Sequence, residues 1–251
     1  MAKYGPGDVL ILVDGYNLGI DLFEAPLETS ALLEASHTFG DTWTEMADVG
    51  VKSGTLSVRG FYEDDDDRSN ETLVDGLTTQ DRVIVALLEG NVQGQTAICF
   101  KSTQQSVSRN PGRAELHKIA ADFSSDGVMD EKAIIIQTHV ADSGAGVMSD
   151  AEFQAPAETT DGGRVYVEVS AITLGGYTSM NVKLQESSDN GGDAYADIPG
   201  ATSAAITEAP FAEVLTVAAG VTIEKFTRAF LVLNGAGSSE SITALVALAR
   251  D

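Results

Sequence analysis

Apolar residues in this 251-residue chain come in short runs with a period of two, and Gly, Asn, Asp or Ser interrupts them every few positions. Period two places alternate side chains on opposite faces of an extended backbone, so the pattern describes strands joined by turns. Asp8–Val13 is a compact apolar strand closed by the turn Asp14-Gly15. Leu32–Glu45 and Gly54–Tyr62 are two further strands; in the second, Leu56, Val58 and Gly60 alternate with Thr55, Ser57 and Arg59. Arg82–Glu89 holds the continuous apolar run Val83–Leu88, as a strand buried on both faces does, and Gln95–Ser102 is its expected hairpin partner. Residues 105–140 read as two or three strands interrupted at Asn110-Pro111-Gly112 and Ser124–Gly127.

One short helix is expected. The acidic run Glu63–Asp67 ends the preceding strand, and Asp67 or Ser69 could cap a helix reaching Leu77. Glu71 lies two residues beyond Ser69, so a capping box does not start there.

Composition changes over residues 141–163, which are rich in Gly, Ala, Ser and Pro and lack a period. This stretch reads as a linker or long inter-strand loop between a β domain at 1–140 and a second one at 164–251. In the latter, Val165, Val167 and Val169 alternate with Tyr166, Glu168 and Ser170. Ser179–Gln185, Glu213–Val217, Thr222–Leu233 and Ile242–Ala249 complete a strand density typical of a β-sandwich.

Composition narrows the function classes. The hydrophobic share of 43% supports a real core. No apolar run approaches the roughly 20 residues of a membrane-spanning helix, and Met1–Asp8 lacks the apolar core of a signal peptide, so no membrane partner is expected. Cys99 is the single cysteine and sits in the apolar stretch Thr96–Phe100, which reads as a buried inert thiol. A net charge of −23 opposes stable adhesion to nucleic acid, whose affinity comes largely from Lys and Arg on phosphate.

Motifs for chemistry are sparse. Val9–Val13 followed by Asp14-Gly15-Tyr16-Asn17 resembles the opening of NYN and PIN-like nucleases, in which the Asp helps hold a water-activating divalent cation. Such an enzyme would need a parallel sheet with alternating helices, whereas the later segments read as hairpins. Glu63–Asp67 fails as an EF-hand loop, because counting from Asp64 puts Ser69 at the sixth position and Asp75 at the twelfth. His37, His117 and His139 have no partner at ligand spacing, and no HExxH, GxSxG, Walker-type or GxGxxG motif occurs. No catalytic, cofactor-binding or metal residue is therefore expected, and no enzyme.

Taken together, residues 9–102 resemble the major tail proteins of long-tailed bacteriophages. The resemblance rests on DVLILVDGYNL, on Phe39-Gly40-Asp41 and Trp43, and on Gly54–Tyr62 leading through Phe61-Tyr62-Glu63-Asp64 to a short helix and RVIVALLEG. The later VKLQESSDN, YADIPGA and FTRAFLVLNGAGSSESITALVALAR resemble an appended β domain of phage virion proteins. The resemblance implies a mainly β fold: a tail-tube-like sandwich or barrel with one helix, plus a C-terminal β-sandwich. It implies a virion protein made in the host cytoplasm. Copies would form homohexameric rings stacked into a tube, with tape-measure and terminator proteins as partners and DNA passing without sticking. A capsid decoration or connector protein is the structural alternative. A sugar- or receptor-binding module would need exposed aromatics, for which Tyr166, Tyr177 and Tyr195 are the candidates.

Overall fold

The structure is a computed structural model describing residues 9–36, 45–66, 68–77, 79–111, 115–150, 152–190 and 192–251; at 32–36 and 45–51 it describes the backbone. The chain is mainly β, as the alternation predicts. In order come β1 (Leu10–Val13), β2 (Tyr16–Asn17), β3 (Leu22–Glu24), β4 (Leu27–Ser36), β5 (Glu45–Phe61) and α1 (Ser69–Asp75). There follow β6 (Arg82–Leu87), β7 (Thr96–Asn110), β8 (Lys118–Asp142), β9 (Gly146–Val147) and β10 (Phe153–Gln154). The last six are β11 (Gly163–Thr173), β12 (Ser179–Ser187), β13 (Ala196–Thr202), β14 (Phe211–Val217), β15 (Phe226–Asn234) and β16 (Ser241–Arg250). Of the expected strand Leu32–Glu45, the segment 37–44 lies outside the described residues, as do Met1–Asp8, His37, Trp43 and Asp67.

Every strand pairing is antiparallel. The parallel sheet that a PIN-like nuclease would need is not what these residues form, because tight turns such as Asp14-Gly15 return the chain directly alongside itself. Asp14 (φ 53) and Gly15 (φ 86) both take positive φ, as the two-residue turn between β1 and β2 requires.

The larger sheet runs β14-β11-β16-β8-β7-β6-β1-β2, with β5 also on β8 and with β3 and β4 on β5. The center of this arrangement is β8, 25 residues long. One edge of β8 carries β7 over most of its length. Its other edge is divided: β5 pairs along Lys118–Ser124, and β16 pairs along Ile134–Asp142. The expected break at Ser124–Gly127 is instead an irregular stretch inside one strand. Gly127 sits there at φ +91, which a residue without Cβ adopts cheaply.

Three apolar layers follow from the alternation. Leu12, Val83, Val85, Leu87, Cys99 and Ile135 pack with Tyr166, Leu245 and Ala247 between the strands from the two ends of the chain. The opposite faces of β1, β6 and β7 give Ile11, Val13, Ile84 and Phe100 to a second cluster with Leu56, Val58, Phe123 and Leu73 of the helix. The opposite faces of β11 and β16, through Val165, Val167, Val246 and Leu248, pack on Val182, Leu184, Ile198 and Leu231 of the smaller sheet β10-β15-β12-β13. This last pair of sheets is the C-terminal sandwich.

The division at 141–163 is not a break in hydrogen bonding. Residues 141 and 142 still pair with β16, and β9 and β10 line the edge of β15. The Thr138 amide donates to Asp150, the Met148 amide to the Ala229 carbonyl at 3.1 Å and the Ala155 amide to the Lys225 carbonyl at 2.8 Å. Met148 and Ala155 are buried. Sparse alternation there reflects two-residue strands, too short to show a period.

A chain ending at Gly144 would lose β16 from the edge of β8 and expose Ile135 and Leu12 to water. Each large apolar side chain so uncovered costs about 1.5–3 kcal/mol. Such a chain is expected to lose its cooperative thermal transition and to bind ANS; a sharp transition matching the full chain would refute the shared core.

Candidate functional site

Asp14 lies just beyond the end of β1, where the nuclease resemblance would place a metal ligand. Its carboxylate is taken up by the chain itself: Oδ2 accepts from Arg82 Nε at 2.6 Å and Oδ1 from the Val83 amide at 2.8 Å. Arg82 is 2% exposed and also donates to Gln104, whose amide donates to the Leu73 carbonyl. One polar chain thus ties the β1–β2 turn to β6, β7 and α1. Across the turn, the Gly15 amide donates to Glu168 of β11. A Cβ at Gly15 would lie 2.5 Å from the Val169 carbonyl oxygen, so this approach needs glycine.

Glu168 is fully buried, and its other oxygen has no hydrogen-bond partner. Burial, reinforced by the nearby Asp14 charge, pushes its carboxyl well above the usual carboxylate range. In sequence Glu168 alternates with Val165, Val167 and Val169; both faces of β11 are covered, which a period of two cannot reveal.

The helix is anchored from a distance. Its cap residue is Arg68, which makes no side-chain cap bond, and Ser69 lies inside the first turn. The capping role passes to buried Asp21, which accepts from the Ser69 amide at 3.2 Å and from Arg68 at both oxygens. Ser69 instead bridges strand and helix, donating to the Phe61 carbonyl at 2.7 Å. Asp64 of the acidic turn accepts from Asn70 at 2.8 Å, while Asp65 and Asp66 are exposed.

A third polar cluster ties β8 to β11 and to Asp251. Arg164 donates twice to Asp130, at 2.7 and 2.8 Å, and Tyr166 donates to the same carboxylate at 2.7 Å. Arg164 also grips Asp251. Burial and the Asp130 hydrogen bond push the Tyr166 hydroxyl far above its ordinary range. Tyr166 is therefore a core residue; Tyr195 lies under Arg228 at 3.8 Å. Cys99 is buried, and desolvation pushes its thiol up and away from reactivity. His117 meets Tyr62 edge-on at 6.3 Å, and His139, whose pKa burial lowers, contacts Ser170 at 2.7 Å. His117 directly precedes β8 and His139 lies near its far end, and they converge on no common group.

What remains open to a partner is the outer part of β4 and β5. From Ser53 outward β5 has left β8, so Ser30–Ser36 and Glu45–Ser53 form a two-stranded ribbon paired only with itself among the described residues. Glu28, Thr29, Ser30, Ala31, Lys52 and Ser53 are exposed. At the ribbon's root, in the fork where β8 exchanges β5 for β16, lies an open cleft of about 510 Å³. Thr29, Lys52–Gly54, Ser125, Gly127–Lys132, Ala249 and Arg250 line it. Nothing in the local sequence around either lysine signalled this cleft.

No family model and no curated protein matches the chain. Among solved structures, a chain from the tail of an empty gene transfer agent particle with C6 symmetry is 15% identical, with TM-score 0.42, covering 53% of this chain and 100% of its own. A chain of the native gene transfer agent virion is 18% identical, with TM-score 0.40, covering 51% and 97%. The SPP1 Dit protein, a hub adsorption apparatus of phages infecting Gram-positive hosts, is 10% identical, with TM-score 0.37, covering 96% and 98%. At these levels the likenesses assign no function.

Two measurements check the polar clusters. Because the folded Glu168 binds its proton more tightly than the unfolded chain does, its contribution is intact below about pH 4.3 and is lost as pH rises through its folded value. Glu168→Gln is expected to flatten that fall, so its stability relative to wild type should improve with pH in urea titrations. Parallel curves would refute the assignment. Asp130→Ala leaves Arg164 and Tyr166 without their shared acceptor and should cost about 3 kcal/mol in the same assay.

Proposed function

We propose that this chain is a structural virion protein of a long-tailed bacteriophage, one that self-assembles into stacked, hexameric rings forming the tail tube. The observation that carries the reading is the β4–β5 ribbon. A two-stranded hairpin is marginal in water by itself, and this one continues past the last strand that supports it. Its unpaired edges offer backbone donors and acceptors to another chain, a liability that closed rings convert into assembly.

The resemblance of residues 9–102 to major tail proteins supports the same role. So does the charge: six copies of a −23 chain around a lumen would repel rather than retain a passing genome, within the roughly 8 Å reach of unscreened charge at physiological salt. No catalytic role is proposed. Tape-measure and terminator proteins would be the partners at the tube's ends.

The test removes the ribbon. Ala31 and Lys52 are direct cross-strand partners, so an Asn-Gly turn can join them in place of 32–51. The full chain is expected to form rings or tubes by negative-stain microscopy at high concentration. The shortened chain should keep its thermal transition and stay monomeric. Assembly by the shortened chain, or a full chain that never assembles, would refute the proposal.

A further inference from the structure

Cations are scarce in this chain, and nearly all the described ones are engaged. Arg59, Arg68, Arg82, Lys101, Lys118, Arg164 and Lys183 hold carboxylates. Arg109 donates to Asn70, Arg228 to Gln185, and Arg250 to the Ala157 and Glu224 carbonyls, while Lys225 lies over Phe226. Among the described residues, the cations without an ion pair, hydrogen bond or ring contact are Lys52 and Lys132. Both are exposed, and both line the cleft in the β8 fork.

The carboxylates of that cleft are already committed. Asp130 is held by Arg164 and Tyr166, and Glu131 accepts from Thr29 at 2.6 Å. At the cleft Gly127 faces open space, Met129 packs over Gly54, and the Gly54 amide is fixed on Ser125 at 2.9 Å. A concave site with two unmatched ammonium groups, in a protein of net charge −23, is built to take an anion.

We propose that this cleft receives the acidic turn Glu63–Asp66 of a second copy of the chain. That turn is the densest run of carboxylates in the sequence, and Asp65 and Asp66 are exposed and make no hydrogen bond or ion pair among the described residues. Within one copy it cannot reach the cleft. Gly54 and Phe61 are separated by seven residues of continuous strand, about 24 Å at 3.4 Å each. A donor patch beside the middle of β5 and an acceptor patch just beyond its end make the contact head-to-tail, the kind that closes rings or propagates a stack. The inference rests on the self-assembly reading and specifies its contact.

Sedimentation of the full-length chain across a concentration series tests it, with three samples beside wild type. K52E/K132E and D65K/D66K should each need at least about tenfold more protein to assemble, a loss of 1.4 kcal/mol or more per contact. An equimolar mixture should assemble near the wild-type concentration, because each variant's altered patch then meets its complement. K52Q/K132Q should show a smaller loss in the same direction, and unchanged thermal transitions should accompany all variants. Wild-type behavior by K52E/K132E would overturn the cleft's role. A mixture that fails to recover while both variants stay folded would overturn the acidic turn as occupant. A wild type that never assembles would instead refute the self-assembly reading itself.

Discussion

Everything in this fold hangs on the divided edge of β8. A strand of 25 residues is far longer than one partner of ordinary length can cover. Here the early part of its free edge takes β5 from the N-terminal half, and the late part takes β16 from the end of the chain. The irregular stretch around Gly127 lets the two partners diverge without stopping the strand. The central apolar layer is the consequence: Leu12 and Val85 can share a core with Tyr166 and Leu245 because β8 places both sets of strands in one curled sheet.

A sheet joined this way must solve a polar problem as well as an apolar one, since it brings side chains from distant segments into dry contact. Asp130 and Arg164 are a bidentate pair with a tyrosine as third member, so every strong group there has a partner. Glu168 is the contrasting case. One of its oxygens serves the Gly15 amide and the other serves nothing, so the site favors a protonated acid. The first cluster gives each of its polar groups a partner and the second leaves an oxygen without one, and both reach β11 within five residues of each other.

These differences explain what sequence could and could not disclose. Alternation at Thr55–Gly60 and Arg164–Ser170 was visible because each residue's burial depends on local geometry. The single helix was visible from the acidic break before it, but its anchor was not, since Asp21 lies 48 residues from the Ser69 amide it serves. Residues 141–163 read as a linker because strands of two residues have no period, although their backbone bonds to β15 are ordinary. Gly127 read as a break because glycine marks both turns and bulges, and only the partners of β8 distinguish the two. Lys52 and Lys132 were unremarkable in sequence, being 80 positions apart; the fork in β8 is what makes them neighbors.

The same fork also decides where the sheet stays open. Where β5 parts from β8, hydrogen bonding that the monomer would otherwise satisfy is left available along the ribbon, and the space vacated becomes the cleft. A longer pairing of β5 on β8 would have closed both, at the cost of the β16 seam that unites the two halves. The geometry that lets the chain fold as one unit is therefore also the geometry that leaves it an unsatisfied edge. A two-stranded ribbon is marginal in water by itself, so the stability of this one depends on the strands at its root.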